Sequence, residues 1–186
     1  GLMVTRNEEY AERALLFADK AWPRDSGELG AKRFLFLSQN YRMNELSGAV
    51  ARAQLTKVKA TVKRRRSSAH DLSQRIAGLP GVFAPYIPAE TSSAYWLYIL
   101  QIGEESGTTA LEFGNALLAE GIPAWVRYIV DPLYLSPVFS GPNTYGNSGY
   151  PFTAFPHQSY HRGLCPNAEL SLSRTIAIHW NENYPS

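Results

Sequence analysis

A chain of 186 residues with 45% hydrophobic and 18% charged residues can bury an ordinary core, which excludes global disorder. Its formal net charge of +2 is too small to argue for nucleic acid or an anionic membrane. No run of about 18 apolar residues provides a helical membrane span. The single cysteine, Cys165, excludes an internal disulfide and makes a reducing, cytoplasmic setting the default.

The opening segment Gly1-Leu2-Met3-Val4-Thr5 reads as a strand, too short and without the basic region that a signal peptide needs. A strand needs neighbours, and none lies near it in sequence, so the chain reads as beginning inside a larger fold. Asn7-Glu8-Glu9 is a capping and first-turn signal, and Tyr10, Ala14, Leu15 and Ala18 give a helical face to about Lys20. Trp22-Pro23 and Asp25-Ser26-Gly27 end that helix. Residues 24–40 read as irregular apart from the apolar burst Phe34-Leu35-Phe36-Leu37.

Met43, Leu46, Val50, Leu55, Val58, Val62, Leu72 and Ile76 then recur at helical spacing, with Ala49, Ala53 and Ala69 between them. The spacing predicts one helix from about 43 to 78, on the order of 50 Å long, connecting two bodies. Asn44 is its expected N-cap, Glu45 complements the dipole in its first turn, and Gly78 supplies the stop. The basic run Lys63-Arg64-Arg65-Arg66 invites a nucleic-acid reading. No aromatic or glycine-rich companion motif accompanies it, and a solvated face or counter-charge to a partner subunit accounts for it.

Beyond Gly78-Leu79-Pro80-Gly81 a short β segment is expected at Val82-Phe83. Ser93 to Ile102 is the clearest strand in the chain, dense in aromatic and β-branched residues. Thr108 or Thr109 caps a helix carrying Leu111, Leu117 and Leu118, with Gly121 at its C′ position and Ile122 following. Pro123 to Tyr128 and Thr175 to Ile178 complete a small α/β sandwich. Between Val130 and Ala168 lies a stretch of little periodicity, whose Tyr134, Phe139, Tyr145, Tyr150, Phe152, Phe155 and Tyr160 argue against disorder. A substrate-covering or subunit-contacting loop fits it best.

His157, His161 and Cys165 have the H-x3-H-x3-C spacing of metal ligands on one helical face, but Gly163 and Pro166 break any helix there and a fourth ligand is not evident. No nucleophile-elbow, P-loop or dinucleotide glycine pattern occurs, and no serine, histidine and acid set stands out, so a hydrolase is a weak alternative. On their own, the residues support an α/β domain with an aromatic loop.

Asn40-Tyr41-Arg42-Met43, the cap and acid Asn44-Glu45, the small residues Ser47-Gly48-Ala49 and Ala53-Gln54-Leu55 resemble the DegT/StrS family of aminotransferases. This is a fold-type I family that depends on pyridoxal 5'-phosphate and aminates keto sugars, mostly nucleotide-linked, and keto cyclitols. The resemblance continues through Arg64-Arg65-Arg66, Ser93-Ala94-Tyr95-Trp96 and Leu118-Ala119-Glu120-Gly121-Ile122. It resumes at Asp131-Pro132-Leu133-Tyr134 and Cys165-Pro166-Asn167-Ala168-Glu169, and so covers nearly the whole chain.

The resemblance implies an α/β chain corresponding to the C-terminal part of such an enzyme. Residues 1–42 would end the large cofactor-binding domain. A long connecting helix would follow over 43–78, then a small C-terminal α/β domain over 79–186 with a short, mostly antiparallel sheet and the aromatic loop 130–168. The Schiff-base lysine would lie upstream. Lys20, Lys32, Lys57, Lys59 and Lys63 lack the family's surroundings for it, so no catalytic residue is expected here and these 186 residues alone should not transaminate. A bare half of this kind would expose apolar surface and associate.

By the same resemblance Asn40 is a cofactor-binding residue that reaches across a homodimer interface to the phosphate, a suitable task for an amide N–H near a helix start. Arg42 beside it could fork onto a substrate carboxylate or phosphate, or could be a surface pairing residue. Ser47-Gly48-Ala49 would sit at the dimer interface. Where the family often has histidine after Pro-Leu, this chain has Tyr134 and an expanded loop to about His161. Tyr128, Tyr134 and His157 are further substrate candidates, with plain loop packing as the alternative. The implied amino donor is glutamate or glutamine. A non-catalytic binding or regulatory module that keeps half of the fold is the rival, and a nucleic-acid binder ranks last.

Overall fold

The computed structural model describes residues 2–24, 34–141, 143–144, 146–155 and 159–184. The chain divides into two compact units, Gly1–Lys57 and Val58–Ser186. In the first unit, helix α1 (Glu8–Ala18) starts where the sequence places its cap, Asn7 Oδ1 accepting the Tyr10 N–H at 3.1 Å. The chain then turns through left-handed Lys20 and Ala21 and returns alongside the end of α1. An isolated antiparallel bridge joins Asp19 to Asn40, flanked by Lys20 N–H to Gln39 O at 3.0 Å and Tyr41 N–H to Ala18 O at 2.8 Å. Leu2 to Thr5 form no strand, and Leu2, Met3 and Val4 are exposed.

The single helix expected over 43–78 is two helices, α2 (Glu45–Leu55) and α3 (Val58–Ile76). Asn44 caps α2 as expected, accepting the Ser47 N–H at 2.8 Å. The break is local chemistry. Thr56 Oγ1 donates to Ala53 O at 2.8 Å and Lys57 N–H bonds Gln54 O at 3.0 Å, a tightened turn in which side chain and backbone compete for the carbonyls. Gly78, in the left-handed region, ends the path of α3 as expected.

The second unit is a four-stranded antiparallel sheet in the order β1-β2-β4-β3, from β1 (Val82–Phe83), β2 (Leu97–Ile102), β3 (Ala124–Val126) and β4 (Thr175–His179). The register Tyr98↔Ile178 and Leu100↔Ile176 puts alternate residues on one face. There Tyr98, Leu100, Ile102, Ile176 and Ile178 form the core with Ala69, Leu72 and Ile76 of α3. Helix α4 (Ala110–Ala119) adds Ala110, Phe113 and Leu117 to the same core. Tyr98 and Ile176 are wholly buried, each stabilising by about 1.5–3 kcal/mol relative to exposure. Burial pushes the Tyr98 hydroxyl pKa up, and its oxygen lies 2.7 Å from Ser73 Oγ.

Thr109 is the cap of α4, in a reciprocal box with Glu112, and Gly121 closes it through its N–H to Leu118 O with Ile122 N–H to Leu117 O. Two strands are shorter than their sequence signal. Ser93 Oγ accepts the Tyr95 N–H, Arg66 Nε claims Ser93 O at 2.7 Å and Tyr95 is left-handed, so β2 begins only at Leu97. At the other edge, left-handed Arg127 ends β3 before Tyr128.

The basic run on α3 is tied into this fold. Arg65 pairs with Glu182 at 2.9 Å, and Arg66 also reaches Ser92 Oγ at 2.8 Å. The stretch 130–168 carries short helical turns at Leu133–Leu135, α5 (Pro137–Ser140) and Phe152–Ala154, before α6 (Pro166–Ser173). Three of its aromatics cluster, Phe139 meeting Phe152 and Tyr160 at centroid distances of 5.7 and 5.5 Å, whereas Tyr150 and Phe155 are exposed and Tyr145 lies outside the described residues.

Candidate functional site

In the first unit the feature with chemical potential is the Asp19 carboxylate, 14% exposed, at the end of α1. Lys20 Nζ lies 2.6 Å from Oδ1, Arg24 forks onto both oxygens, and Arg42 Nε stands 3.9 Å from Oδ2. Hydrogen bonds from Arg24 and then Lys20 hold Asp19 well below the usual carboxylate range. The two sequence candidates of this unit, Asn40 and Arg42, therefore meet at one place. Asn40 Oδ1 accepts the Arg42 N–H at 3.3 Å, which orients the amide. Among the described residues no hydrogen bond engages the Asn40 Nδ2 donors, and the residue is exposed. Arg42 is 57% exposed and, among the described residues, is the outermost of the three cations on Asp19.

In the second unit, Tyr134 is the sequence candidate drawn into a polar network. Its hydroxyl donates to Glu169 Oε1 and accepts the Cys165 N–H at 3.2 Å. Glu169, on α6, also accepts the Gly163 N–H at 2.6 Å. Arg162 pairs with Asp131 at 2.7 Å and stands 3.8 Å from Glu169 Oε2. Partial burial, then the Glu169 contact, pushes the Tyr134 pKa up, while the Tyr134 hydroxyl and then the Gly163 N–H pull Glu169 down. The proton thus resides on the tyrosine and the charge on the glutamate. This clasp ties residues 131–134 to 162–169. It borders a cleft of about 280 Å³ whose lining includes Thr109, Arg127, Asp131, Arg162, Glu169 and Ser173.

Tyr128 does not join that network. Its ring stacks on Trp125 at 4.7 Å, and Trp125 meets the His179 ring at 3.8 Å. His157 lies outside the described residues. The H-x3-H-x3-C spacing does not fall on one helix, because Cys165 is the N-cap of α6 and His161 precedes it, its Nδ1 2.9 Å from Arg162 O. Among the described residues no three histidine, cysteine or acidic side chains gather as a metal site, and no helix is long and apolar enough to cross a membrane. Sequence reading missed Arg127 and Arg162, for which no local pattern exists. It passed over Asp131 and Glu169 as parts of a resemblance, without a role.

The profile of the DegT/DnrJ/EryC1/StrS aminotransferase family matches residues 1–179. The chain is 28% identical over 160 residues to the spore coat polysaccharide biosynthesis protein SpsC of Bacillus subtilis (strain 168), covering 81% of this chain and 40% of that protein. It is 28% identical over 141 residues to dTDP-3-amino-3,4,6-trideoxy-alpha-D-glucose transaminase of Streptomyces venezuelae, covering 76% of this chain and 34% of that protein. The fold superposes on S. venezuelae DesV with a TM-score of 0.71 at 23% identity, covering 98% of this chain and 42% of that one. The aminotransferase TlmJ from Streptoalloteichus hindustanus gives a TM-score of 0.67 at 21% identity, with 97% and 42% covered.

The chain therefore spans 40% or less of the length of these two curated relatives. At such identities the solved structures speak to fold, and that fold is the α/β architecture of fold-type I aminotransferases with a short antiparallel sheet. With the family profile accounting for all but the last few residues, the chain belongs to the DegT/DnrJ/EryC1/StrS aminotransferase family.

Proposed function

We propose that this chain is part of a pyridoxal-phosphate-dependent aminotransferase that moves an amino group from glutamate or glutamine to a keto sugar, nucleotide-linked, or to a keto cyclitol. The observation that carries this reading is the match of the family profile over residues 1–179. The active unit is read as a homodimer in a reducing, cytoplasmic compartment, consistent with the lone thiol of Cys165. The domain reading keeps residues 1–42 as the end of the large domain and 79–186 as the small one. The connection over 43–78 is helix–turn–helix.

The residues present fit the cofactor in one respect. The Asn40 amide has its oxygen engaged by its own chain and its two N–H donors directed elsewhere, as a phosphate ligand requires. When bound, the cofactor supplies the electron sink for transamination. Asn40 would donate to its phosphate across the dimer interface. Arg42, loosely held by Asp19, would swing its fork to a substrate carboxylate or phosphate. Tyr134 would present its ring and oxygen to substrate, held in place by Glu169. The catalytic amine is not read onto Lys20, whose Nζ is engaged by Asp19 at 2.6 Å. We assign that amine to a residue outside this chain.

The test is a product assay on the full-length, cofactor-loaded protein, supplied with glutamate or glutamine and with a nucleotide-linked keto sugar or a keto cyclitol. Mass spectrometry should find the amino product with one acceptor class, and Asn40→Asp should raise the cofactor dissociation constant by about tenfold or more through like-charge repulsion. Tight cofactor binding without amine product from either class would instead support the non-catalytic module.

A further inference from the structure

We infer that Arg127 is an anion-binding residue of the acceptor substrate, taking an oxyanion group in the cleft above β3; this rests on the reading of the chain as part of an aminotransferase. Four observations lead to it. Arg127 lines the 280 Å³ cleft together with the Thr109 and Ser173 side chains, a volume at the small end of ligand sites. The other cation of that cleft, Arg162, is spent on Asp131 at 2.7 Å and on Glu169 at 3.8 Å. Among the described residues no carboxylate pairs directly with Arg127, so its guanidinium is the cation of the cleft left free to take a ligand.

The backbone at Arg127 is left-handed, at φ +57°, where a residue with a long side chain is strained. Strain of this kind persists where surrounding structure holds it, and it clusters at ligand-binding positions. The surrounding structure is present here. The preceding residues belong to β3, and the following ring, Tyr128, stacks on Trp125 with an interplanar angle of 11°. The backbone at Arg127 is therefore held on both sides, and the planar fork of its guanidinium suits a phosphate or a carboxylate alike. A nucleotide-linked keto sugar carries such a group in its diphosphate, and a keto cyclitol carries one only where its ring also bears a carboxylate.

The experiment is calorimetric titration of the full-length protein with inorganic pyrophosphate and, separately, with quinate, at one low ionic strength. Wild type should bind at least one of them saturably. Arg127→Ala should weaken that probe about tenfold or more, and Arg75→Ala, a charge loss on α3 away from the cleft, should leave it within about twofold. Arg127→Gly covers the case in which the alanine variant fails to fold, since glycine accepts the left-handed backbone without strain while the side chain and its guanidinium are removed. Loss confined to pyrophosphate identifies the diphosphate source, and loss confined to quinate identifies the carboxylate. Unchanged affinity in the Arg127 variants, an equal loss in Arg75→Ala, or no binding of either probe overturns the inference. Arg127-dependent binding in a protein that makes no amine product would retain the anion site and reject the reaction.

Discussion

Tyr134 donates its hydroxyl hydrogen bond to Glu169 while accepting the Cys165 N–H, so that one side chain joins the start of the aromatic stretch to the first turn of α6. The two groups are complementary only in one protonation state. Glu169 is held below its ordinary value of 4.5 in the folded chain, so its contribution is present above that value and is lost as pH falls through the lowered one. Tyr134 is raised above its ordinary value of 10.0, so its contribution is complete below that and is lost as pH rises through the raised one. Protection of the Gly163 and Cys165 amides, measured against their intrinsic exchange rates, should therefore be greatest between these limits. Tyr134→Phe should speed exchange at Cys165, and Glu169→Gln at Gly163, each by about an order of magnitude. Exchange unaltered by both substitutions would mean that the clasp does not hold this segment.

Gly114 sits inside α4, where glycine costs the helix roughly 0.5–1 kcal/mol relative to alanine. Its position explains the cost. A Cβ there would meet Val126 Cγ2 at 2.5 Å and Cγ1 at 3.1 Å, and Val126 is itself pinned by its register with Ile176. Gly114→Ala should thus destabilise by about 1–2 kcal/mol, the overpacking outweighing the helix gain. Gly114→Ser should do no better. Denaturant unfolding with an unchanged slope is the measurement, and stabilisation by alanine would show that β3 moves freely away from α4.

What could be read from sequence follows the range of the interaction. The caps at Asn7, Asn44, Thr109 and Gly121 were legible because each joins a side chain or a turn to backbone within a few residues. The break of the long helix was not, because apolar spacing continues smoothly across Leu55 and Val58 while one hydroxyl, Thr56, decides the matter. The late start of β2 depends on Arg66, 27 residues upstream of Ser93, and no pattern inside the strand announces it. Likewise Tyr134 could be singled out only by its place in a family motif, since its partner Glu169 is 35 residues away.

Thr109 and Glu112 form a reciprocal box in which Thr109 Oγ1 accepts the Glu112 N–H at 3.2 Å and Glu112 accepts the Thr109 N–H at 2.9 Å. Thr109→Ala should cost about 1 kcal/mol of stability. Thr109→Ser should recover most of it, because only the hydroxyl is needed. Backbone and side-chain hydrogen bonds from Thr109 hold Glu112 below its ordinary value of 4.5. The benefit of the wild-type box over Thr109→Ala should therefore be full at neutral pH and shrink as pH falls below that value, as followed by thermal unfolding across pH.

Asp19 organises the end of α1 against the segment that carries Asn40 and Arg42, through its bridge to Asn40 and its pairs with Lys20, Arg24 and Arg42. Removing its charge should loosen that segment without touching Asn40 itself. Asp19→Asn is expected to keep the backbone bridge, release Arg24 and Arg42, and weaken cofactor retention in the full-length protein several-fold. Asp19→Glu should lie between it and wild type. The carboxylate is held far below its ordinary value of 3.8, so its contribution is fully present above that value and fades only as pH drops through the much lower folded one. The ratio of wild-type to Asp19→Asn retention should accordingly stay constant from neutral pH down to about pH 4. Equal retention by Asp19→Asn and wild type at neutral pH would show that Asn40 keeps its place without the carboxylate.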